Sequence, residues 1–396
     1  MLIGYSDDHR AWQEAVDGFC AGVVAPLIAT MDLNRAPSAA EWQRLRAGVL
    51  GKGIVDEYPT AADGGDDLIA FAILYEAMAR VHSAAAAFVT EQLYLPRFLR
   101  RLLNEEQRRH FAAQVERPAV IAACFTEPDT GSDTAGIATT ARQRTDGSWV
   151  VNGRKTWISR GTRAELAIIY ARIVEPEPEP EPGPGLKAED RFGLFLAEVG
   201  GIGSGFQARP IETLGLVAQD LCDVYLDNVV VPDIGRIHGE GRRQIFAAIG
   251  PGRASQALLA VGFAQAALDL ALPYAKERTQ FGRPIARFQL VQALLADMAI
   301  GVTSSRLMAY NAISALIDRG PAEARAEVSM AKAYCTETAV RVASLGMEVQ
   351  GAMGLARETG AERIFRDARM MIVPDGTAQI QRLIIGQQLT GLDGFR

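Results

Sequence analysis

Apolar positions along this chain change their period twice. Over Leu68–Arg80, Leu68, Phe71, Ala72 and Tyr75 recur at i, i+3, i+4 and i+7, the spacing of one helix face. Alanine, leucine, arginine and glutamate dominate residues 1–118, and β-branched clusters are few, so this stretch is predicted helical, punctuated by Gly51, Gly53, Gly64 and Gly65. Near Ala119 the texture becomes β-rich. Short runs follow at Ala119–Phe125, Trp149–Val151, Thr156–Ser159, Leu166–Val174, Phe192–Val199 and Cys222–Val231. Asn152-Gly153 joins two of them and favours a type I′ hairpin turn. Strands this short and close predict a small antiparallel barrel or sandwich. From about Gly239 the helical period returns, with Leu290, Leu294 and Met298 at i, i+4, i+8. Runs over Arg253–Arg278, Phe288–Asp318 and Ala322–Met353 predict a bundle of long antiparallel helices. The expected fold is α+β, mostly α: a helical domain over 1–118, a middle β domain over 119–233 and a C-terminal helical bundle over 234–396.

Within the β region, residues 175–185 alternate glutamate and proline and end in Gly-Pro-Gly. Proline removes ladder donors and like charges repel, so an extended, solvated excursion between strands is expected rather than a domain linker. Composition narrows the function classes. With 48% apolar and 22% charged residues over 396 positions, the chain has enough apolar surface for several core layers and is neither disordered nor collagen-like. A net charge of −6 argues against a nucleic-acid surface. Cys20, Cys124, Cys222 and Cys335, with His9, His82, His110 and His238, show no metal-ligand or disulfide spacing, so reduced thiols and no metal are expected. The first residues lack a basic segment followed by an apolar stretch, which predicts a cytoplasmic protein. The apolar stretch at 255–272 is broken by Gln256, Gln265 and Asp269 and reads as a buried helix, not a membrane span.

Three segments carry candidate chemistry. Cys124-Phe125-Thr126-Glu127-Pro128-Asp129-Thr130-Gly131-Ser132-Asp133 leaves a strand and gathers hydroxyls and backbone N–H groups in a turn. Asn152-Gly153-Arg154-Lys155-Thr156-Trp157-Ile158-Ser159 puts an indole and a hydroxyl on alternate residues, hence on one face. That pairing suits a planar heteroaromatic ligand, although tryptophan is more often core. In Val373-Pro374-Asp375-Gly376-Thr377-Ala378-Gln379-Ile380-Gln381-Arg382, Asp375 lies at a break between helices. An isolated Asp-Gly-Thr is more often a helix N-cap than a catalytic group.

In this order and at these separations, the segments resemble the acyl-CoA dehydrogenase family over nearly the whole chain. Arg278-Thr279-Gln280-Phe281-Gly282 with Gln289, the turn Gly351 to Gly354 and the pair Arg366-Asp367 complete the pattern. The resemblance implies an N-terminal helical domain, a middle β domain and a C-terminal four-helix bundle, assembled as a homotetramer or homodimer with FAD lying across subunits. It implies that Phe125, Thr126, Trp157 and Ser159 contact the flavin. Ser132 matches a position near the FAD pyrophosphate and the substrate's pantetheine arm. Arg278, Phe281, Gln289, Gly351 and Gly354 match positions that hold FAD from the neighbouring subunit, and Thr377 and Gln379 match positions near its nucleotide. Arg253 matches an arginine that packs near the base, and Asp375, followed by Gly376 at a substrate-contacting position, matches the base position.

The implied reaction is α,β-dehydrogenation of an acyl thioester. A carboxylate takes the weakly acidic α-proton while hydrogen bonds stabilise the enolate, and the β-hydrogen passes to flavin N5. CoA or an acyl carrier protein would carry the acyl group, and an electron-transfer flavoprotein would accept the electrons. Several positions depart from the family pattern. Asp375 replaces the usual glutamate, which sets the carboxylate back by roughly one C–C bond, ~1.5 Å. Some members acting on cyclic acyl-CoAs use aspartate, and so does nitroalkane oxidase in the same superfamily. A nitroalkane oxidase-like or other flavin oxidase or monooxygenase activity is therefore the rival, with a non-catalytic flavoprotein as a third alternative. Gly252 occupies the position from which other branches supply the base, and it cannot serve. Pro374, Glu348, Ala352 and Ala123 also depart, and the Glu-Pro tract has no counterpart.

Overall fold

A computed structural model describes residues 5–32, 35–50, 67–112, 119–174, 192–201, 203–237 and 241–394. The glycines at 51, 53, 64 and 65 and the Glu-Pro tract lie outside these. The chain forms two compact units. One comprises Met1–Ala86, Leu214–Ala218 and Ile249–Arg396, and the other Ala87–Thr213 and Gln219–Ala248.

The amino-terminal helices are α1 (Asp7–Phe19), α2 (Ala25–Ala29), α3 (Ala39–Leu50), α4 (Leu68–Val81), α5 (Ser83–Val89), α6 (Leu95–Leu102) and α7 (Glu105–His110). Helix α1 starts at a capping box in which the Ser6 hydroxyl accepts from His9 N. Asp67 caps α4 by accepting from Ile69 N and Ala70 N, and its carboxylate also meets the His9 ring at 2.8 Å. Trp12 Nε1 donates to Ala70 O at 3.0 Å, so the two helices are joined by side chains as well as by apolar packing. Residues Ala70–Ala79 of α4 are all buried, which explains an apolar stripe wider than one helix face.

The end of α5, α6, α7 and the start of α8 (Gly241–Glu277) belong to the second unit, and the rest of the first is built on α8 from Ile249 onward, α9 (Gln289–Glu323), α10 (Arg325–Gln350), α11 (Ala361–Met370) and α12 (Ala378–Thr390). Gly262 lets α8 cross α4 closely, because a Cβ there would sit 2.5 Å from Ala79 Cβ and 2.6 Å from Glu76 O. By length and composition Gly250–Glu277 could cross a bilayer, but Ala254, Leu258, Val261 and Phe263 are buried in the unit, as expected of a core helix. The stripe begun by Leu290 behaves otherwise. Met298 is buried, but Leu290 is 82% exposed, so the periodicity there marks an apolar face that this chain leaves uncovered.

The second unit holds an eight-stranded sheet in the order β6-β7-β3-β2-β4-β5-β8, with β1 also paired to β4. The strands are β1 (Ile121–Cys124), β2 (Thr140–Gln143), β3 (Trp149–Ser159), β4 (Leu166–Val174), β5 (Phe192–Glu198), β6 (Phe206–Pro210), β7 (Leu221–Val231) and β8 (Arg236–Ile237). The sheet is mixed rather than antiparallel, since β1 and β2 both run parallel to β4. Val151, Ile169, Phe195, Val224 and Val231 belong to its core. The hairpin expected at Asn152-Gly153 does not form there. Those residues lie inside β3, where the register against β7 shifts, and a Cβ on Gly153 would strike Thr139 Oγ1 at 2.4 Å. The turn joining β2 to β3 instead uses Gly147, with φ +86°.

Candidate active site

The loop between α11 and α12 carries Asp375 in the left-handed region, φ 54°, followed by Gly376 at φ +90°. A non-glycine residue there is uncommon and persists only when its surroundings hold it. The holding groups are side-chain donors. Arg253 Nε on α8 donates to Asp375 O at 2.9 Å. Gln381 Nε2 on α12 donates to Asp375 O at 3.3 Å and to Gly376 O at 2.9 Å. Lys332 Nζ on α10 donates to Ile372 O at 2.8 Å and to Gly376 O at 2.7 Å. The carboxylate itself accepts from Gln256 Nε2 at 3.0 Å.

The electrostatics follow from this enclosure. Burial pushes the Asp375 carboxyl above the usual aspartate range, opposed by Arg253, the Gln256 hydrogen bond and Lys332. Burial also lowers the Lys332 ammonium to about 8, against the pull of Asp375. A carboxylate raised in this way is a stronger base once ionised. Asp375 is not a helix cap. Thr377 caps α12 by accepting from Ile380 N at 3.3 Å, which leaves the aspartate side chain clear of that role. Gln379 is exposed on the first turn of α12.

In the second unit, β3 contains a bulge. Trp149, Val151 and Lys155 are buried, so simple alternation would send Trp157 and Ser159 inward as well. The register against β7 instead slips between Lys155 and Ile158, and Trp157 takes φ 58°. Ile158 then points to the core, while Trp157 is 53% exposed and Ser159 partly exposed on the outer side. Thr156 N donates to Thr126 O at 2.9 Å, which ties the segment after β1, with Phe125 and Thr126, to this bulge.

Behind the bulge lies an ion pair that the motif reading did not single out. Lys155 Nζ, wholly buried, meets Glu127 Oε1 at 2.8 Å and Phe125 O at 3.2 Å. Glu127 also accepts from Ala138 N and Thr139 N. Burial raises its carboxyl, but these hydrogen bonds prevail and hold it below the usual range. They fold the 127–139 loop, which leaves Ser132 exposed.

The remaining motif residues form neither cluster. Arg278 and Gln289 are exposed, and Phe281, with φ 50° and 93% exposure, projects from the turn between β9 (Thr279–Gln280) and β10 (Arg283–Pro284). Gly351 ends α10 at φ 59°, and a Cβ on Gly354 would strike Met347 O at 2.5 Å. Gln256, Lys332 and Gln381 were not foreseen. The signals available were the i, i+3 spacing of Arg253 and Gln256 on one helix face and a lone lysine in Met330-Ala331-Lys332-Ala333.

Comparison with known proteins shows the family. Family models described as acyl-CoA dehydrogenase N-terminal, middle and C-terminal domains match residues 6–117, 122–229 and 239–390. Benzylmalonyl-CoA dehydrogenase of Aromatoleum aromaticum is 33% identical, over 98% of this chain and 100% of that protein. Cyclohex-1-ene-1-carbonyl-CoA dehydrogenase of Geobacter metallireducens is 32% identical, over 85% of this chain and 87% of its own. The solved structure of a glutaryl-CoA dehydrogenase from Mycobacterium smegmatis in complex with FADH2 superposes with a TM-score of 0.82 at 25% identity, covering 99% of this chain and 97% of that one. The chain belongs to the acyl-CoA dehydrogenase family and is an FAD-dependent oxidoreductase that acts on CH–CH groups of acyl-CoA.

Proposed function

We propose that Asp375 is the base that removes the α-proton, and that the substrate is a CoA thioester with a ring at or next to the reacting carbons. The carrying observation is the Asp375 loop. It is braced from three helices at its carbonyls, and burial raises the proton affinity of its carboxylate. Aspartate sets the carboxylate back by ~1.5 Å relative to glutamate, which leaves room for a bulkier α-carbon. Two relatives named for ring-bearing acyl groups support that choice.

FAD, when bound, supplies the acceptor for the β-hydrogen and its electron pair. The exposed Trp157 indole, with Ser159 on the same outer side and Thr126 tied to the bulge, fits a planar ring system with polar edges. Ser132, Thr377 and Gln379 are assigned to the remainder of the cofactor and, for Ser132, to the pantetheine arm. Arg253 holds the base from its carbonyl side, and Gly376 lets the chain turn past the substrate. Arg278, Phe281, Gln289, Gly351 and Gly354 are assigned to FAD of a neighbouring subunit. The 93% exposure of Phe281 and 82% exposure of Leu290 support a homo-oligomer that covers them. An electron-transfer flavoprotein is the proposed acceptor.

The test is anaerobic mixing of the FAD-loaded enzyme with cyclohexanecarbonyl-CoA, phenylpropionyl-CoA, butyryl-CoA and nitroethane. Bleaching of the flavin band by a ring-bearing thioester, ahead of butyryl-CoA, is expected. Faster bleaching by butyryl-CoA overturns the substrate class. Bleaching by nitroethane alone overturns the thioester reading in favour of an oxidase.

A further inference from the structure

We infer that Gln256 is a positioning residue for the base: its side-chain amide holds Asp375 Oδ2, fixes the rotamer of the short carboxylate and leaves Oδ1 as the proton acceptor. This rests on the reading of Asp375 as the base. The donors around the loop divide by what they touch. Arg253, Gln381 and Lys332 all reach main-chain carbonyls, at Ile372, Asp375 and Gly376. They fix where the Asp375 backbone is, but not where its carboxylate points. Gln256 Nε2, at 3.0 Å from Oδ2, is the side-chain donor that the structure gives the carboxylate itself.

The placement of Gln256 follows from the helix. It lies three residues after Arg253 on α8, so both side chains leave the same face one turn apart. One turn of α8 therefore grips the base at both its carbonyl and its carboxylate. The charged groups that face Asp375 among the described residues are Arg253 from α8 and Lys332 from α10. Both already favour the ionised carboxylate. A further cation at 256 would lower basicity more, whereas a neutral amide orients the group at a smaller cost in proton affinity. The need for such a holder is set by reach. An aspartate has lost a methylene that could adjust the carboxylate to the substrate, and misplacement of about 1 Å can cost ~10²-fold in rate.

The experiment titrates the Asp375 carboxyl in the substrate-free holoenzyme by infrared difference spectroscopy, with Asp375→Asn used to assign the band. Flavin reduction by the thioester that bleaches the wild-type enzyme best is followed over the same pH range. In Gln256→Leu the Asp375 midpoint is expected to rise by about one pH unit, because a hydrogen bond to the ionised form is lost. Flavin reduction at saturating substrate should fall by roughly 10- to 100-fold, with FAD content unchanged. Gln256→Glu should titrate as a coupled pair, donating when protonated and repelling when ionised, so partial activity should return only at the acid end.

Unchanged midpoint and rate in both variants overturn the role of Gln256, while Asp375→Asn remains inactive. Full flavin reduction in Asp375→Asn overturns the base assignment itself, whatever the Gln256 variants do. Should Gln256→Leu fail to fold, the Gln256→Glu profile decides alone. A single titration indistinguishable from wild type overturns the proposal.

Discussion

The Asp375 loop and the Trp157 bulge solve one problem in two ways. Each presents a functional candidate on a non-glycine residue with positive φ, 54° at Asp375 and 58° at Trp157. At Asp375 the strained backbone is held by long side chains from three helices, each donating to a carbonyl. At Trp157 it is held by ladder hydrogen bonds to β7 on either side of a register slip. The first arrangement concentrates control in a few polar side chains. The second spreads it along a backbone, with the buried Lys155–Glu127 pair and the Thr156 Oγ1–Asp223 Oδ1 hydrogen bond at 2.6 Å as its side-chain supports. Single substitutions should therefore cut deeply at the first site, and at the second only where they reach those supports.

The widest separation comes from Asp375→Asn. It keeps the shape and the carbonyl contacts of the loop but removes the proposed base, so substrate-driven flavin reduction should fall by ~10²–10⁴-fold while FAD stays bound. Stopped-flow absorbance with matched FAD content checks this. Lys155→Met is next, and it tests the second unit. It leaves Glu127 buried without its cation, and breaking one partner of a buried pair typically costs about 3–5 kcal/mol. Denaturant unfolding followed through the tryptophans should show that loss. A change below about 1 kcal/mol would mean that the ladder and the Thr156–Asp223 hydrogen bond support the bulge without the ion pair. Trp157→Ala should do less, weakening FAD by about tenfold through loss of the proposed aromatic contact, with stability unchanged. Equilibrium dialysis of FAD measures it.

The same contrast decides what could be read from the chain. Leu166–Val174 was legible because a strand buried along most of its length is a continuous apolar run, and Leu68–Val81 because an alanine- and leucine-rich run continues there unbroken by glycine or proline. Strand β2 was not, since it is four residues long with one buried position, and β6 ends in a proline. The bulge at 155–158 was hidden because it is a property of pairing with β7, and the dipeptide Asn152-Gly153 advertised a turn that the ladder overrode. Leu290 carries a core-like period without a core in this chain. Asp375 stood out through its motif, but the group that holds its carboxylate lies 119 residues earlier, on a helix whose alanine-rich sequence marks Gln256 only as an interruption.

The smallest effect separates the two lysines. Lys155 hydrogen-bonds a carboxylate at 2.8 Å, whereas Lys332 hydrogen-bonds carbonyls, feels the Asp375 carboxylate only through space and has its ammonium lowered to about 8. An unfolded lysine keeps its proton up to its ordinary value near 10.5. Between about 8 and 10.5 the unfolded state therefore binds more protons than the folded one, and stability should rise with pH across that window. Below about 8 both states are protonated and this contribution is flat. The slope is at most about 1.4 kcal/mol per pH unit for one proton. A neutral amine still has two N–H groups for the carbonyls of Ile372 and Gly376, so the loop need not loosen as the charge is lost. Thermal unfolding of the wild type and Lys332→Met at pH 7 and pH 9.5 isolates this contribution. The wild type should gain on the variant at the higher pH. An equal response of both proteins would mean that Lys332 keeps its charge and that the Asp375 loop, like the bulge, is held by an ionised lysine.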